Sequence, residues 1–334
     1  MSGDTNFSRR ALIKRVGACS VAGITASGIT SASPTRDRSR EREETGDGAN
    51  GSSKESIRQT SAKEVYELYR ETYGKDVARK AKSLWVEYAN AVLEDRLSHS
   101  KAFARFKQQL ADYSPEFRRA LENQEKQSER EQLSPLQQSV ADGNVDPDDE
   151  SVSVIGGVST QDNQDILLID GQENGSGVVG FRKSDYDTGK NHLLCITATP
   201  GAGDVRQEVW LEGNIYVQNG GPHDIVLEYF ENGGVIGASA SYDVWVMEEG
   251  DSHKTWHDLK SVNSSVNGSG SIGTRYNFAD DTVYNVGIRL KCVASGLGKA
   301  AADFHTINGP SEILPGDSPY RHLEAKTLRI SEDG

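Results

Sequence analysis

The stretch Val283-Tyr284-Asn285-Val286-Gly287-Ile288-Arg289-Leu290-Lys291-Cys292-Val293-Ala294 alternates. Val286, Ile288, Leu290, Cys292 and Ala294 share one face, while Arg289 and Lys291 lie on the other. A repeat of two is the period of an extended strand with one face on a core. Further segments read the same way at 152–158, 165–169, 178–182, 192–198, 208–217, 225–229, 235–246, 272–278 and 300–305. Asn219-Gly220-Gly221-Pro222, Asn232-Gly233-Gly234, Asn267-Gly268 and Ser295-Gly296 punctuate them with turn residues. Many short strands with regular turns predict an antiparallel β-sandwich, or jelly-roll-like domain, over 152–310. Residues 311–334 are expected to form a C-terminal tail with room for one short strand.

Upstream, the period changes from two to that of a helix. Val65, Leu68, Tyr69 and Tyr73 form one stripe; Val77, Ala81, Leu84, Trp85, Tyr88 and Val92 form a second; Phe103, Phe106, Leu110 and Tyr113 form a third. Ser114-Pro115-Glu116 starts another helix, with Ser at the cap and Pro at the first helical position. Residues 62–131 are therefore expected to form a small antiparallel helical bundle, making the chain multidomain, α then all-β. Between the two lies 132–151, where Asp142-Gly143 and Asp146-Pro147-Asp148-Asp149-Glu150 mark an acidic linker. Residues 33–61 are polar, charged and lack an apolar period, so they read as a disordered linker.

Ser8-Arg9-Arg10-Ala11-Leu12-Ile13-Lys14 precedes a weakly apolar run, 16–32, that ends in small residues at Thr30-Ser31-Ala32. Residues 1–32 resemble a twin-arginine signal peptide of the kind carried by haloarchaeal secreted proteins, with Arg9 and Arg10 as the export motif. The resemblance implies the twin-arginine translocase as a partner during export, and a secreted or cell-surface destination. The run is too short and polar to be a membrane span, which needs about 20 apolar residues.

The 334 residues carry a formal net charge of -13. Surplus acid argues against nucleic acid, whose phosphates need clustered Lys and Arg, and against an anionic membrane surface. The helical segment does not carry this excess, since residues 55–131 hold 15 Lys and Arg against 14 Asp and Glu. High acid and only two Met match a halophilic composition, in which carboxylates hold hydration at high salt.

Removal of the signal would leave two cysteines, Cys195 and Cys292, both in predicted strands. Outside the cell such a pair invites a disulfide. Cys195, Trp210 and Cys292 come in an order that resembles the immunoglobulin sandwich, and Asp280-Asp281-Thr282-Val283-Tyr284 resembles its tyrosine corner. That corner places Tyr two residues before the second Cys, whereas Tyr284 stands eight before Cys292. The sandwich expectation is kept and the immunoglobulin topology is not.

No constellation of a known catalytic class stands out. Gly175-Ser176-Gly177-Val178-Val179-Gly180 and Gly268-Ser269-Gly270-Ser271-Ile272-Gly273 match a dinucleotide fingerprint literally, but both lead into strands and read as turns. His253, His257 and Asp258 have metal-ligand spacing without an evident further ligand; no cofactor is expected. Glu208, Glu212, Glu228 and Asp243 lie in or beside strands and read as a solvated acidic face rather than a hydrolytic carboxylate pair. Tyr242 and Trp256 flank polar sequence and are the aromatics expected to be exposed, as a sugar-stacking platform. Asn50, Asn174, Asn263 and Asn267 begin glycosylation sequons. The leading expectation is a non-enzymatic protein that binds an extracellular glycan or surface protein through the sandwich. A precursor releasing an acidic, antimicrobial or toxin-like β-domain from a helical pro-region is the alternative, and an extracellular hydrolase the third.

Overall fold

The computed structural model describes residues 47–129, 133–155, 163–305 and 321–332; the segment expected to be an export signal, with Arg9 and Arg10, lies outside them. The strands in chain order are β1 (Val152–Ile155), β2 (Asn163–Asp165), β3 (Asp170–Val179), β4 (Phe181–Asp187), β5 (His192–Thr199), β6 (Gly203–Val217) and β7 (Gly221–Ile236). They continue with β8 (Ser239–Glu248), β9 (Thr255–Val262), β10 (Val266–Phe278), β11 (Thr282–Gly296), β12 (Ala300–Phe304) and β13 (His322–Glu332). A six-stranded sheet has the order β1-β6-β11-β8-β9, with β3 also on β6; a seven-stranded sheet has the order β10-β7-β12-β5-β13-β2, with β4 on β5. The pairings are antiparallel apart from β1, which runs parallel to β6. This is the expected β-sandwich.

β11 is central, paired with β6 on one edge and β8 on the other, and its alternation turns one face to the core. Val286, Ile288, Leu290 and Cys292 face inward and are fully buried with Val209, Leu211 and Ile215 of β6. The opposing sheet supplies Leu193, Cys195, Leu227, Leu328 and Ile330 to the same core. At the turn into β11, the Tyr284 hydroxyl accepts from the Ala279 backbone N–H at 2.7 Å. That bond is the corner geometry the sequence suggested, without the immunoglobulin spacing. Burial pushes the Tyr284 phenol up to about 12.

Several expectations need correction. Residues 235–246 are not one strand, because Gly237 turns the chain with φ +59° between β7 and β8. Residues 254–262 hold a strand, β9, that the weak alternation concealed. The C-terminal tail contains β13, an eleven-residue strand lying inside the sheet against β7, β5 and β2.

The helices are α1 (Asp47–Arg58), α2 (Ala62–Leu93), α3 (His99–Tyr113), α4 (Pro115–Glu129) and α5 (Pro135–Ala141). Ser61 caps α2 reciprocally with Glu64. Gly74, at φ +84°, kinks α2 between the first two apolar stripes. Ser114 caps α4 as expected, accepting from the Phe117 N–H at 3.2 Å. Two segments read as linkers contain helix. α1 covers the end of 33–61 and buries Ile57. α5 lies within 132–151, with a capping box of Ser134 and Gln137.

The helices also rest on the sandwich. Val178, Val179, Ala202 and Leu297 belong to the apolar cluster of α2, α3 and α4. Trp85 donates its indole N–H to the Leu297 carbonyl at 2.5 Å, and Tyr73 donates its hydroxyl to the Val178 carbonyl at 3.0 Å. Lys107 pairs with Asp204 at 2.7 Å, and Lys299 with Glu64 at 3.0 Å.

Candidate functional site

The outer face of the six-stranded sheet gathers the polar and aromatic residues that alternation sends away from the core. Register sets them in rows. Trp210, Arg289, Asp243 and Asp258 follow one another across β6, β11, β8 and β9. The next row holds Glu212, Gly287, Trp245 and Trp256. Gly287 is required at this place, because a Cβ there would lie 2.1 Å from Trp245 Cζ2. The missing side chain lets the Trp245 indole lie across β11, edge-on to Trp210 at 6.2 Å between ring centres.

Charge is matched closely on this face. Arg289 donates from Nε and Nη2 to Asp243 Oδ2 at 2.9 and 2.7 Å, and from Nη1 to Glu208 Oε2 at 3.2 Å. Arg206 holds the other oxygen of Glu208. The Arg289 guanidinium carbon lies 3.8 Å from the centre of the Trp256 ring. Since the Arg289 side chain is 11% exposed and Trp256 is half-buried, the cation underlies the ring. Lys254 reaches Trp210, Trp245 and Trp256 at 5.3, 5.7 and 5.8 Å.

The acids here are not a solvated face. Glu208, Glu212 and Asp243 are 5%, 0% and 1% exposed: α5 lies against Glu212, while Arg206 and Arg289 pack on Glu208 and Asp243. Gln137 of α5 donates to Glu212, and the Gly250 N–H donates to the Val140 carbonyl at 3.1 Å. Burial pushes the Glu212 carboxyl up, against hydrogen bonds from Ser134 and Gln137. Burial pushes Asp243 up as well, opposed by Arg289 and aided by the neighbouring Asp258. Trp210 Nε1, Glu212 Oε1, Asp243 Oδ1 and Gln172 Oε1 are buried polar atoms without a protein partner among the described residues.

The two residues singled out as a platform separate. Trp256 is half-buried at the site. Tyr242 is fully buried in the core, donating to Glu231 Oε2 at 2.7 Å. Its position follows from alternation, since Ala240, Val244 and Val246 share its inward face. The metal candidates also separate. His253 is exposed beside Asp251, His257 faces Thr274 and Tyr276 on β10, and Asp258 sits opposite Asp243. The expected disulfide is not formed. Cys195 and Cys292 are buried free thiols, yet neighbours, Cys292 Sγ donating to the Cys195 carbonyl at 3.7 Å. Of the sequon asparagines, Asn174, Asn263 and Asn267 are exposed, two of them in strands β3 and β10 rather than in loops; nothing is described of the Asn50 side chain.

No family model matches this chain, and no curated protein matches it. Among solved structures it is similar to the glycoside hydrolase domain of Endo-D from Streptococcus pneumoniae R6, at 14% identity and a TM-score of 0.26. That match covers 49% of this chain and 22% of the other, so this chain spans under a quarter of its length. It is similar to the carbohydrate-binding module TmCBM61, solved with β-1,4-galactotriose, at 8% identity and a TM-score of 0.23 over 48% and 88% of the two chains. It is also similar to a carbohydrate-binding module from Cellvibrio mixtus lichenase 5A, solved with cellotriose, at 13% identity and a TM-score of 0.19 over 50% and 100%. Overlaps of this size leave function to be argued from the chain's own geometry.

Proposed function

We propose that this is an exported, non-enzymatic binding protein that holds a glycan on the outer face of its six-stranded sheet. The observation that supports it most is the half-buried Trp256 ring, fixed from beneath by Arg289, approached by Lys254 and neighboured on β9 by the exposed Asp258. A pyranose presents one face of C–H groups, which packs on an indole, and a rim of hydroxyls, which hydrogen-bond to charged and amide groups. The network of Arg289, Asp243 and Glu208 holds the ring's support rigid before a ligand arrives, which lowers the entropy cost of binding. Asp243 already gives Oδ2 to Arg289, so the Asp243 and Asp258 pair serves the support of Trp256 better than a hydrolytic reaction.

Glycan-array screening of the purified chain at high salt, with wild type and Trp256→Ala, tests the binding reading. Retention of a defined glycan class by wild type, weakened at least about tenfold by Trp256→Ala with unchanged circular dichroism, is the expected result; about 1.4 kcal/mol of lost stacking gives that factor. Equal retention by both, or none by either, overturns it. Export by the twin-arginine route is part of the same reading, and Arg9→Lys with Arg10→Lys is expected to leave the protein in the cells. Undiminished protein in the medium would defeat that part alone.

A further inference from the structure

We propose a divalent transition-metal site, filled best by Zn²⁺, on the outer face of the seven-stranded sheet and formed by His192, His322 and Glu324. It lies on the opposite side of the sandwich from the Trp256 site and does not depend on the glycan reading. Potential ligand atoms of the three residues all lie within 4.8 Å of one another, and the two imidazole rings have centres 4.3 Å apart.

Backbone register brings the three together. Glu324 of β13 stands directly across from His192 of β5. His322 precedes Glu324 by two residues, so strand alternation puts both on one face. Leu323 and Leu193, the intervening pair, point into the core and are fully buried, which turns the three polar side chains outward. The Ala325 N–H donates to the Asn191 carbonyl at 2.9 Å, fixing the backbone on either side of the cluster. Asn191 itself sits at φ +53° in the β4–β5 turn, a conformation that Asn tolerates better than most residues. Phe230 of β7 packs against His322 at 5.6 Å between ring centres and gives the site an apolar flank.

The donor set has a chemical preference. Two imidazole nitrogens and one carboxylate oxygen suit zinc and its transition-metal neighbours, whereas Ca²⁺ and Mg²⁺ require mostly oxygen. Zinc–nitrogen bonds of about 2.0–2.1 Å place tetrahedral ligand atoms about 3.3 Å apart. Side-chain rotation at the half-buried His192 and Glu324, toward the buried His322, closes the remaining gap without moving the strands. Three protein ligands leave the fourth position for water or a ligand donor. The cation would also clip β13 to β5 where these strands share only the pairs Leu323↔Leu193 and Glu324↔His192, so binding is coupled to the seating of the C-terminal strand.

The test uses the full chain, stripped with a chelator and then titrated with ZnSO₄ and separately with CoCl₂. One Zn²⁺ per chain, a visible tetrahedral Co²⁺ spectrum, and a thermal midpoint raised by about 3 °C or more at zinc a hundredfold above Kd are expected. His192→Ala is expected to abolish the cobalt spectrum and Glu324→Gln to weaken zinc at least about tenfold, while His253→Ala with His257→Ala leaves both unchanged. Wild type that takes up no zinc overturns the site, a result independent of how any variant folds. Binding that survives His192→Ala, or that is lost with His253 and His257, overturns it equally.

Discussion

Arg289 meets Asp243 through two nitrogens on one oxygen, Nε at 2.9 Å and Nη2 at 2.7 Å, with both side chains almost fully buried. The pair spans β11 and β8 on the sheet face that supports Trp256, and Glu208 joins it from β6. A buried pair of this kind contributes little compared with apolar residues, but removing one partner strands the other. Arg289→Ala leaves both Asp243 and Glu208 without this cation and removes the platform beneath Trp256. We expect a loss of about 3–5 kcal/mol in unfolding free energy, measured by urea denaturation at neutral pH. Asp243→Asn combined with Arg289→Met should lose markedly less, because neither charge is then left alone. A single variant no worse than the double would refute the coupling.

Glu212 makes a pH prediction on the same face. Burial raises its carboxyl above the ordinary 4.5, so the folded protein holds this proton to higher pH than the unfolded chain does. Stability from that proton is full below pH 4.5 and is lost as pH rises through the folded-state value. Glu212→Gln keeps an acceptor for Gln137 and cannot ionise. Relative to wild type it should therefore gain stability as pH rises above 4.5, whatever its offset at low pH. Denaturation midpoints of the two proteins, followed from pH 4 to pH 8, check the slope; parallel curves would exclude an ionising Glu212 as a source of strain.

These groups show where the sequence was legible. Alternation in β11 identified a strand with its inward face, and the short segments and turns around it a sandwich, because a strand buried on one face has little freedom of pattern. β13 was expected only as one short strand, for a physical reason. Its apolar series runs Leu323, Ala325 and then Leu328, Ile330, and a register shift between Ala325 and Thr327 restores the phase. Without that bulge the pattern reads as noise. Alternation also sent Glu208, Glu212 and Asp243 outward correctly, but outward is not solvent where α5 lies against Glu212 and arginines pack on the other two. Trp256 was expected to be exposed and is half-buried, and its partner Arg289 was visible only as a polar position. His192 and His322 carry no spacing signal, since only sheet pairing makes them neighbours.

The two thiols give a further test. Cys195 and Cys292 are fully buried, and burial, with the adjacent Cys292, pushes the Cys195 thiol well up. Reaction needs thiolate and access, so neither should label in the native protein, and both should label rapidly in denaturant. Intact mass with and without reductant reports the alternative directly. A native species about two protons lighter before reduction would show that the neighbouring sulfurs have joined.

Trp85 decides whether the helices form an independent pro-region. Its indole is nearly buried and donates to Leu297 of the sandwich, while Val178, Val179 and Ala202 complete the same apolar cluster. Cleavage that released the sandwich would bare these residues and leave the Leu297 carbonyl without its indole donor. Trp85→Ala removes a large contact and one hydrogen bond, a cost of about 3–5 kcal/mol. If helices and sandwich unfold as one unit, this variant lowers a single transition seen alike by far-ultraviolet circular dichroism and by fluorescence of Trp210, Trp245 and Trp256. An independent pro-region would instead show a helical transition that shifts while the sandwich transition stays in place. The shared core favours the first outcome, because Trp85 bonds Leu297 within a cluster to which both helices and sandwich contribute.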